Sequence, residues 1–291
     1  MLTRFLDPVP DHLYHRDPGE ANDADLTLRY LGTAGFVLEG DGRTVVVDPF
    51  ITRPGIYQTL FKPLAPDERL IRAVLPRADE VLIGHAHHDH VLDGPTLCHQ
   101  TGARFIGSPS ACNVARAAGL PTSQLVETRG RETIPMGRGL VKGLPSLHGR
   151  VYFNTIPLPG TIDAPPQWPP RYRQLRHGLV LNWYIEMAGL RIVHIDSADF
   201  IDRELEGLEA DVVCLCAIGR RYRPNYVEDC IRLLRPKMVI ACHWDWFFTP
   251  YHTQPLCLPG VNLPGFVEEI RRAGADPIVL PFEGRLGLHA D

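Results

Sequence analysis

Between Gly84 and His90 the chain reads Gly-His-Ala-His-His-Asp-His, with four histidines and one aspartate within six residues. Imidazole and carboxylate are side chains that zinc, manganese and iron all accept, so this run is a candidate metal-binding segment. Its spacing adds a constraint. His85 and His87 project to the same side of an extended segment but stand about 200° apart on a helix, and the apolar Val81-Leu82-Ile83 precedes them. The run therefore reads as a loop leaving a strand. Taken alone, a histidine-rich tract is equally a solvated surface loop, and the deciding question is whether further ligands occupy equivalent places.

Three do. His148 follows the segment from Leu140 to Leu147, Asp196 follows Leu190 to Ile195, and His243 follows Lys237 to Cys242. Each stands where an apolar, strand-like stretch runs out, and in open sheets the strand ends are where ligand sites assemble. Asp48 closes Thr44 to Val47 in the same way and is placed to accept a hydrogen bond from a ligand imidazole, or to serve as a turn carboxylate before Pro49. His194 shares a strand face with Asp196 and reads as a core or supporting histidine rather than an eighth ligand. His88 fills the variable position of the run.

Residues flanking these positions are candidates for substrate contact. Arg220-Arg221-Tyr222-Arg223 follows the strand-like stretch 211–218, and guanidinium forks suit phosphate or carboxylate; a solvated basic loop is the alternative. Trp244, Trp246, Phe247 and Phe248 directly follow His243 and either wall an apolar pocket or pack in the core. The stretch 154–173 is too rich in proline for regular structure. With Tyr152, Trp168 and Tyr172 it reads as a cover for an acyl chain or ring.

The elements that must carry these residues alternate. A meander opens the folded part: Leu26 to Leu31 alternates, Gly35 to Glu39 follows, and Asp41-Gly42 turns the chain into Thr44 to Asp48. A loop covers about 51–66, and a helix with an acidic first turn starts at Pro66-Asp67-Glu68. Further helices start at Asp93-Gly94-Pro95 and Ser108-Pro109-Ser110, on either side of a strand at Arg104 to Gly107. Strands follow at 124–128, 138–147, 179–186, 190–195, 211–218, 236–242 and 277–281, with helices at 224–234 and 263–273. Both halves read as a meander followed by β/α units, the pattern of a layered α/β protein. Residues 1–24, rich in Pro, Asp and His, read as an arm lying over a domain that spans 25–291 and carries the proline-rich insertion.

Composition narrows the partners. With 44% hydrophobic and 22% charged residues over 291 positions, the chain can bury a large core. A net charge of -4 argues against a general nucleic-acid backbone binder and for a small-molecule partner, anionic or partly apolar. The seven cysteines are odd in number and sit mostly in apolar segments, which fits a reducing compartment. No apolar stretch approaches the roughly 20 residues of a membrane span, and Met1 to Leu6 is too short for a signal sequence before Asp7 and Pro8. The expected location is cytoplasmic.

At this point the chain resembles the metallo-β-lactamase superfamily. His85-x-His87-x-Asp89-His90 matches its His-x-His-x-Asp-His signature, and His148, Asp196 and His243 follow in the family order. Leu31-Gly32-Thr33-Ala34-Gly35-Phe36 and Val47-Asp48-Pro49 extend the likeness, which covers about residues 26 to 248. Within the superfamily it is similar to the ascorbate-6-phosphate lactonase-like and N-acylphosphatidylethanolamine phospholipase D-like hydrolases, through Asp48-Pro49-Phe50, Ile218-Gly219 and His243-Trp244-Asp245-x-Phe247.

The resemblance implies a four-layer αββα sandwich of two mixed sheets, and two divalent metal ions, zinc first, with manganese or iron also suited. It implies that His85, His87 and His148 hold one metal, that Asp89, His90 and His243 hold the other, and that Asp196 bridges them. Asp89 would orient a metal-bridging hydroxide that attacks a small ester-type substrate: a lactone, a phosphodiester or a related acyl compound. Two positions depart from the family: Gly84 stands where Ser or Thr is usual, and Ile195 where Gly is usual. An iron-dependent redox enzyme on the same scaffold, or a nucleic-acid processing hydrolase, are the alternative functions.

Overall fold

The computed structural model describes residues 6–15 and 23–290, so residues 1–5 and 16–22 of the expected arm lie outside it. Strands β1 (Leu26–Gly32), β2 (Gly35–Gly40) and β3 (Arg43–Val47) form the expected meander. Asp41 and Gly42 both take positive φ, 50° and 71°, as a two-residue hairpin turn requires. Helices α1 (Ile56–Phe61) and α2 (Glu68–Val74) lead to β4 (Glu80–Ile83). The histidine run follows, and then α3 (His88–Val91), α4 (Gly94–Thr101), β5 (Arg104–Gly107), α5 (Pro109–Ala117) and β6 (Leu125–Glu127).

The second half repeats the plan. Strands β7 (Thr133–Met136), β8 (Gly139–Ser146), β9 (Val180–Met187) and β10 (Leu190–Ile195) form an antiparallel meander. After them come α6 (Asp202–Leu205), β11 (Val212–Cys216), α7 (Tyr226–Leu234), β12 (Met238–Cys242), α8 (Leu263–Arg272), β13 (Asp276–Ile278) and β14 (Arg285–Leu288).

Two seven-stranded mixed sheets result, with orders β14-β1-β2-β3-β4-β5-β6 and β13-β12-β11-β10-β9-β8-β7. In each, antiparallel pairing gives way to parallel pairing, at β3–β4 and at β10–β11. The parallel strands are buried throughout at β4 and β11, as strands covered on both faces must be. The sandwich is the αββα architecture that the resemblance implied. Local signals placed several helix ends: Asp67 accepts from the Leu70 amide at 3.0 Å, Ser108 from the Ala111 amide at 3.3 Å, and Gly102 closes α4 at φ 78°.

Several elements depart from the sequence expectation, the one-turn helix α6 among them. Helix α1 lies inside the expected 51–66 loop. It is a short turn of helix with Tyr57, Leu60 and Phe61 exposed, so no apolar period announces it. Strand β7 was not anticipated because Pro135 interrupts it, which an edge strand tolerates. Strand β14 pairs antiparallel with β1 from far along the chain, a contact set by tertiary structure. The histidine run is extended only through His87, and α3 begins at His88.

Candidate metal centre

Chain direction explains why distant residues meet. Strands β8 and β10 both run antiparallel to β9, so they point the same way, and β11 and β12 run parallel to β10. His148, Asp196 and His243 thus leave one edge of their sheet. Asp48 and Gly84–His90 leave the parallel β3 and β4 of the other sheet. Asp196 and His243 directly follow β10 and β12, and His148 stands two residues beyond β8.

Two triads form. His85, His87 and His148 each present a ligand atom within 4.8 Å of the others, and so do Asp89, His90 and His243. All six residues are buried. Hydrogen bonds select the tautomers. His87 Nε2 donates to the Pro157 carbonyl at 3.1 Å, leaving a lone pair on Nδ1, and His148 Nδ1 donates to the Gly149 carbonyl at 2.8 Å, leaving one on Nε2. His85 Nδ1 pairs with Asp196 Oδ2, and His90 Nδ1 lies 3.0 Å from Asp48 Oδ2, which frees both Nε2 atoms. His85 Nε2 and His87 Nδ1 then face each other at 2.9 Å as two lone pairs. A cation between them removes that repulsion, and imidazoles held by such outer partners are the usual form of a metal site. In the second triad the Nε2 atoms of His90 and His243 lie 3.7 and 3.4 Å from Asp89 Oδ2. The donor set and its tautomers fit divalent metal ions.

Around the triads, short motifs act as supports. Thr33, at φ 54°, accepts from the His243 amide through its carbonyl at 2.6 Å, while its own amide donates to Asp245 Oδ1 at 2.6 Å. His194 Nε2 donates to the Ala34 carbonyl at 2.8 Å, so His194 ties the sheets together, with Asp48 and Asp196 beside it. Asp48 Oδ1 accepts from the Gly84 amide at 2.8 Å. Gly84 matters through what it lacks: a Cβ there would lie 2.2 Å from Asp196 Cγ. The carboxylate of Asp196 occupies the room that a Ser or Thr side chain would take. Its Oδ2 holds His85, and its Oδ1 is buried with no hydrogen-bond donor, although His90 Nδ1 lies 3.0 Å away.

The electrostatics follow from burial and crowding. Burial pushes His85 down to about 4 despite Asp196, and burial with the charge of His85 pushes His148 down to about 3. Burial, then His85 and His148, also hold His87 well below the usual histidine range. His90 goes the other way: burial opposes its charge, but the carboxylates of Asp196, Asp48 and Asp89 raise it well above that range. Burial raises the Asp48 carboxyl, reinforced by Asp196.

A cavity of about 340 Å³ opens over both triads. Trp246, Tyr152 and Tyr172 line it, as do Ile56 from α1 and Pro157 from the proline-rich segment. Other expected substrate contacts lie elsewhere. Arg220 is buried in an ion pair with Glu269 at 2.9 Å and sits over the Phe266 ring, fastening the loop before α8. Arg221 stacks on Tyr222, and with Arg220 it borders a different surface depression. Trp244 is fully buried and donates to the Ala241 carbonyl at 3.2 Å, a core residue. Trp168 is half-buried against the core and does not line the cavity.

Two residues with a part in the site carried no sequence signal. Arg53 forms a fully buried ion pair with Asp245 at 3.0 Å, under the His243 loop. His177 lies with its ring 5.4 Å from His148 and 5.8 Å from His87. Only the long-range pairing of the two sheets brings either one in.

Residues 27–243 match the model of the β-lactamase superfamily domain. A protein of Pyrobaculum arsenaticum named UPF0173 metal-dependent hydrolase is 29% identical over 226 residues, 76% of this chain and 85% of that protein. Among solved structures, Igni18, a metallo hydrolase from Ignicoccus hospitalis, superposes with a TM-score of 0.59 at 18% identity, over 90% of this chain and 97% of that one. CmlA, a diiron β-hydroxylase from Streptomyces venezuelae, gives a TM-score of 0.58 at 16% identity, over 92% of this chain and 55% of its own length. With three quarters of its length matched and a sandwich of the same plan, this chain belongs to the β-lactamase superfamily.

Proposed function

We propose that this protein is a dinuclear metal-dependent hydrolase acting on small ester-type substrates: a lactone, a phosphodiester or a related acyl compound. The observation that carries the reading is the pair of adjacent triads whose free lone pairs converge, with His85, His87, His90 and His148 each turned by a partner on the other ring nitrogen. The name of the Pyrobaculum relative supports hydrolysis. Two divalent cations, zinc first, would supply a hydroxide nucleophile near neutral pH and stabilise charge on the attacked oxygen.

The chain's own residues divide the work. His85, His87 and His148 would hold one cation, and Asp89, His90 and His243 would hold the other. Asp196 keeps His85 in its tautomer through Oδ2, and its Oδ1 lies 3.0 Å from His90 Nδ1, so the carboxylate stands beside the outer nitrogens of both imidazoles. Asp48 holds the proton on His90 Nδ1 and anchors the Gly84 amide. The cavity walls exclude water from the reacting groups.

Zinc-loaded protein should hydrolyse phenyl butyrate, γ-butyrolactone or bis(4-nitrophenyl) phosphate. His87→Ala and Asp89→Ala should each lower kcat/KM by about a hundredfold or more while circular dichroism stays unchanged. Full turnover by the His87→Ala protein would sink the proposal. The second reading, an iron-dependent redox enzyme, draws on the likeness to CmlA; oxygen consumption by iron-loaded protein that cleaves none of the three esters would favour it.

A further inference from the structure

The triads form one wall of the cavity, and the remaining walls decide what can lie beside them. Those walls are made by Ile56, Tyr152, Tyr172, Trp246, Phe247 and Phe248, with Ile218 and Leu258 behind. Among the described residues no lysine or arginine lines the cavity, and Asp89 and Asp196 are its only carboxylates. Cations flanking the lining are engaged elsewhere: Arg150 donates to the Asn154 carbonyl at 2.9 Å, Arg171 to the Phe61 carbonyl at 3.2 Å, Arg220 pairs with Glu269, and Arg221 stacks on Tyr222. Arg173 and Arg176 border an open outer groove that shares Tyr172 with the cavity. A charged substituent pointing away from the metals would therefore lose its hydration without gaining a partner.

His88 breaks the apolar character. It is 5% exposed, it lines the cavity, and neither ring nitrogen has a hydrogen-bond partner. Rings of Phe50 and Tyr172 meet it edge-on at 5.5 and 5.1 Å, and Phe248 stacks at 6.3 Å. Its Nδ1 lies 3.3 Å from Asp89 Oδ1, the oxygen turned away from His90 and His243. Buried polar groups in folded proteins are almost always satisfied, and both nitrogens of His88 lie buried at the cavity wall without a partner. The polar tip of the residue is held next to the reacting centre, and its body is held by aromatic rings.

Resting on the hydrolase reading, we propose that the part of the substrate lying away from the metals is uncharged and apolar, an aryl or compact acyl group, and that His88 orients it through one hydrogen bond. At about 340 Å³ the cavity is at the small end of ligand sites, which suits one ring or a short chain rather than a long lipid tail.

Hydroxamates bind zinc whether or not an ester is cleaved, so they separate this inference from the reaction. Calorimetric titration of zinc-loaded protein should show benzohydroxamate binding about tenfold tighter than acetohydroxamate, because a ring is buried. 4-Carboxybenzohydroxamate, whose charge points away from the metal, should bind about tenfold weaker than benzohydroxamate. His88→Phe should keep the wild-type zinc content by plasma mass spectrometry and lose about tenfold in benzohydroxamate affinity, and His88→Gln should recover most of that loss. Equal or tighter binding of the carboxylated probe would overturn the apolar assignment. Unchanged affinity in His88→Phe, or loss of zinc from it, would overturn the role of His88. Tight, selective hydroxamate binding without ester cleavage would leave the inference standing and count against the ester reading alone.

Discussion

At the scale of single residues, the centre depends on what is missing as much as on what is present. The departure at Gly84 is a fitted part: the carboxylate of Asp196 lies where any Cβ would go, with Cγ 2.2 Å from that point. Asp196 has a short, fully buried side chain that also holds His85, so it has little room to yield. Gly84→Ala should therefore displace the carboxylate and release the His85 tautomer. The expected outcome is a metal affinity at least about tenfold lower, with about 1–3 kcal/mol of stability lost to overpacking. Zinc stoichiometry by plasma mass spectrometry and a urea melt would check both. Gly219 shows the same logic: a Cβ there would meet the Arg150 carbonyl at 2.3 Å, so the chain beside Ile218 can close against the loop after His148.

At the scale of elements, the ligands sit on strand ends but are aimed by turns. His243 directly follows β12 with φ 54°, a conformation that side chains rarely adopt, and it is held there by the Thr33 carbonyl. Thr33 in turn is held by Asp245, and Asp245 by Arg53, whose guanidinium lies 4.4 Å from the Phe282 ring centre. Three loops from different parts of the chain are thus fastened under the second triad. Removing one partner of a buried ion pair leaves the other charge stranded. Arg53→Ala should cost about 3–5 kcal/mol, and because the damage is under His243, on the proposed two-metal reading the metal at Asp89, His90 and His243 should be lost first. A fall to one zinc per chain together with an earlier urea midpoint is the expected result; two zincs retained at full affinity would contradict the chain of support.

For the whole molecule, the crowded histidines set how stability depends on pH once metal is stripped away. His85 and His148 have folded values of about 4 and about 3, and His87 is also depressed. Below the ordinary histidine range near 6.5 the unfolded chain takes up protons that these groups refuse, so their contribution is complete above about 6.5 and is lost as pH falls toward 3. His90 is raised, so its contribution is present below about 6.5 and is lost as pH rises through its folded value. His88 and His194 are depressed too, so five histidines lose stability below about 6.5 against one that loses it above. Stripped protein should therefore lose stability faster on the acid side, at about 1.4 kcal/mol per pH unit for each unmatched proton. Urea midpoints at pH 5, 6.5 and 8 measure this directly; a higher midpoint at pH 5 than at 6.5 would refute it.

The sequence by itself determined the plan of the fold and pointed to the candidate ligands, because both are written in local terms. A metal ligand is recognisable by type, and its placement at the end of an apolar run is visible without knowing the partner strand. The doubled meander-and-β/α pattern likewise follows from alternation and turn residues such as Asp41-Gly42. What only the tertiary structure decided is everything that depends on contact across the two sheets. Arg220 has the same charge whether it faces a substrate or Glu269, and Trp244 the same ring whether it lines a pocket or fills the core, so neither outcome is legible locally. Arg53 beneath His243, the seat at Gly84 for Asp196, and the unpartnered imidazole of His88 in its aromatic enclosure exist only once strands far apart in the chain have paired.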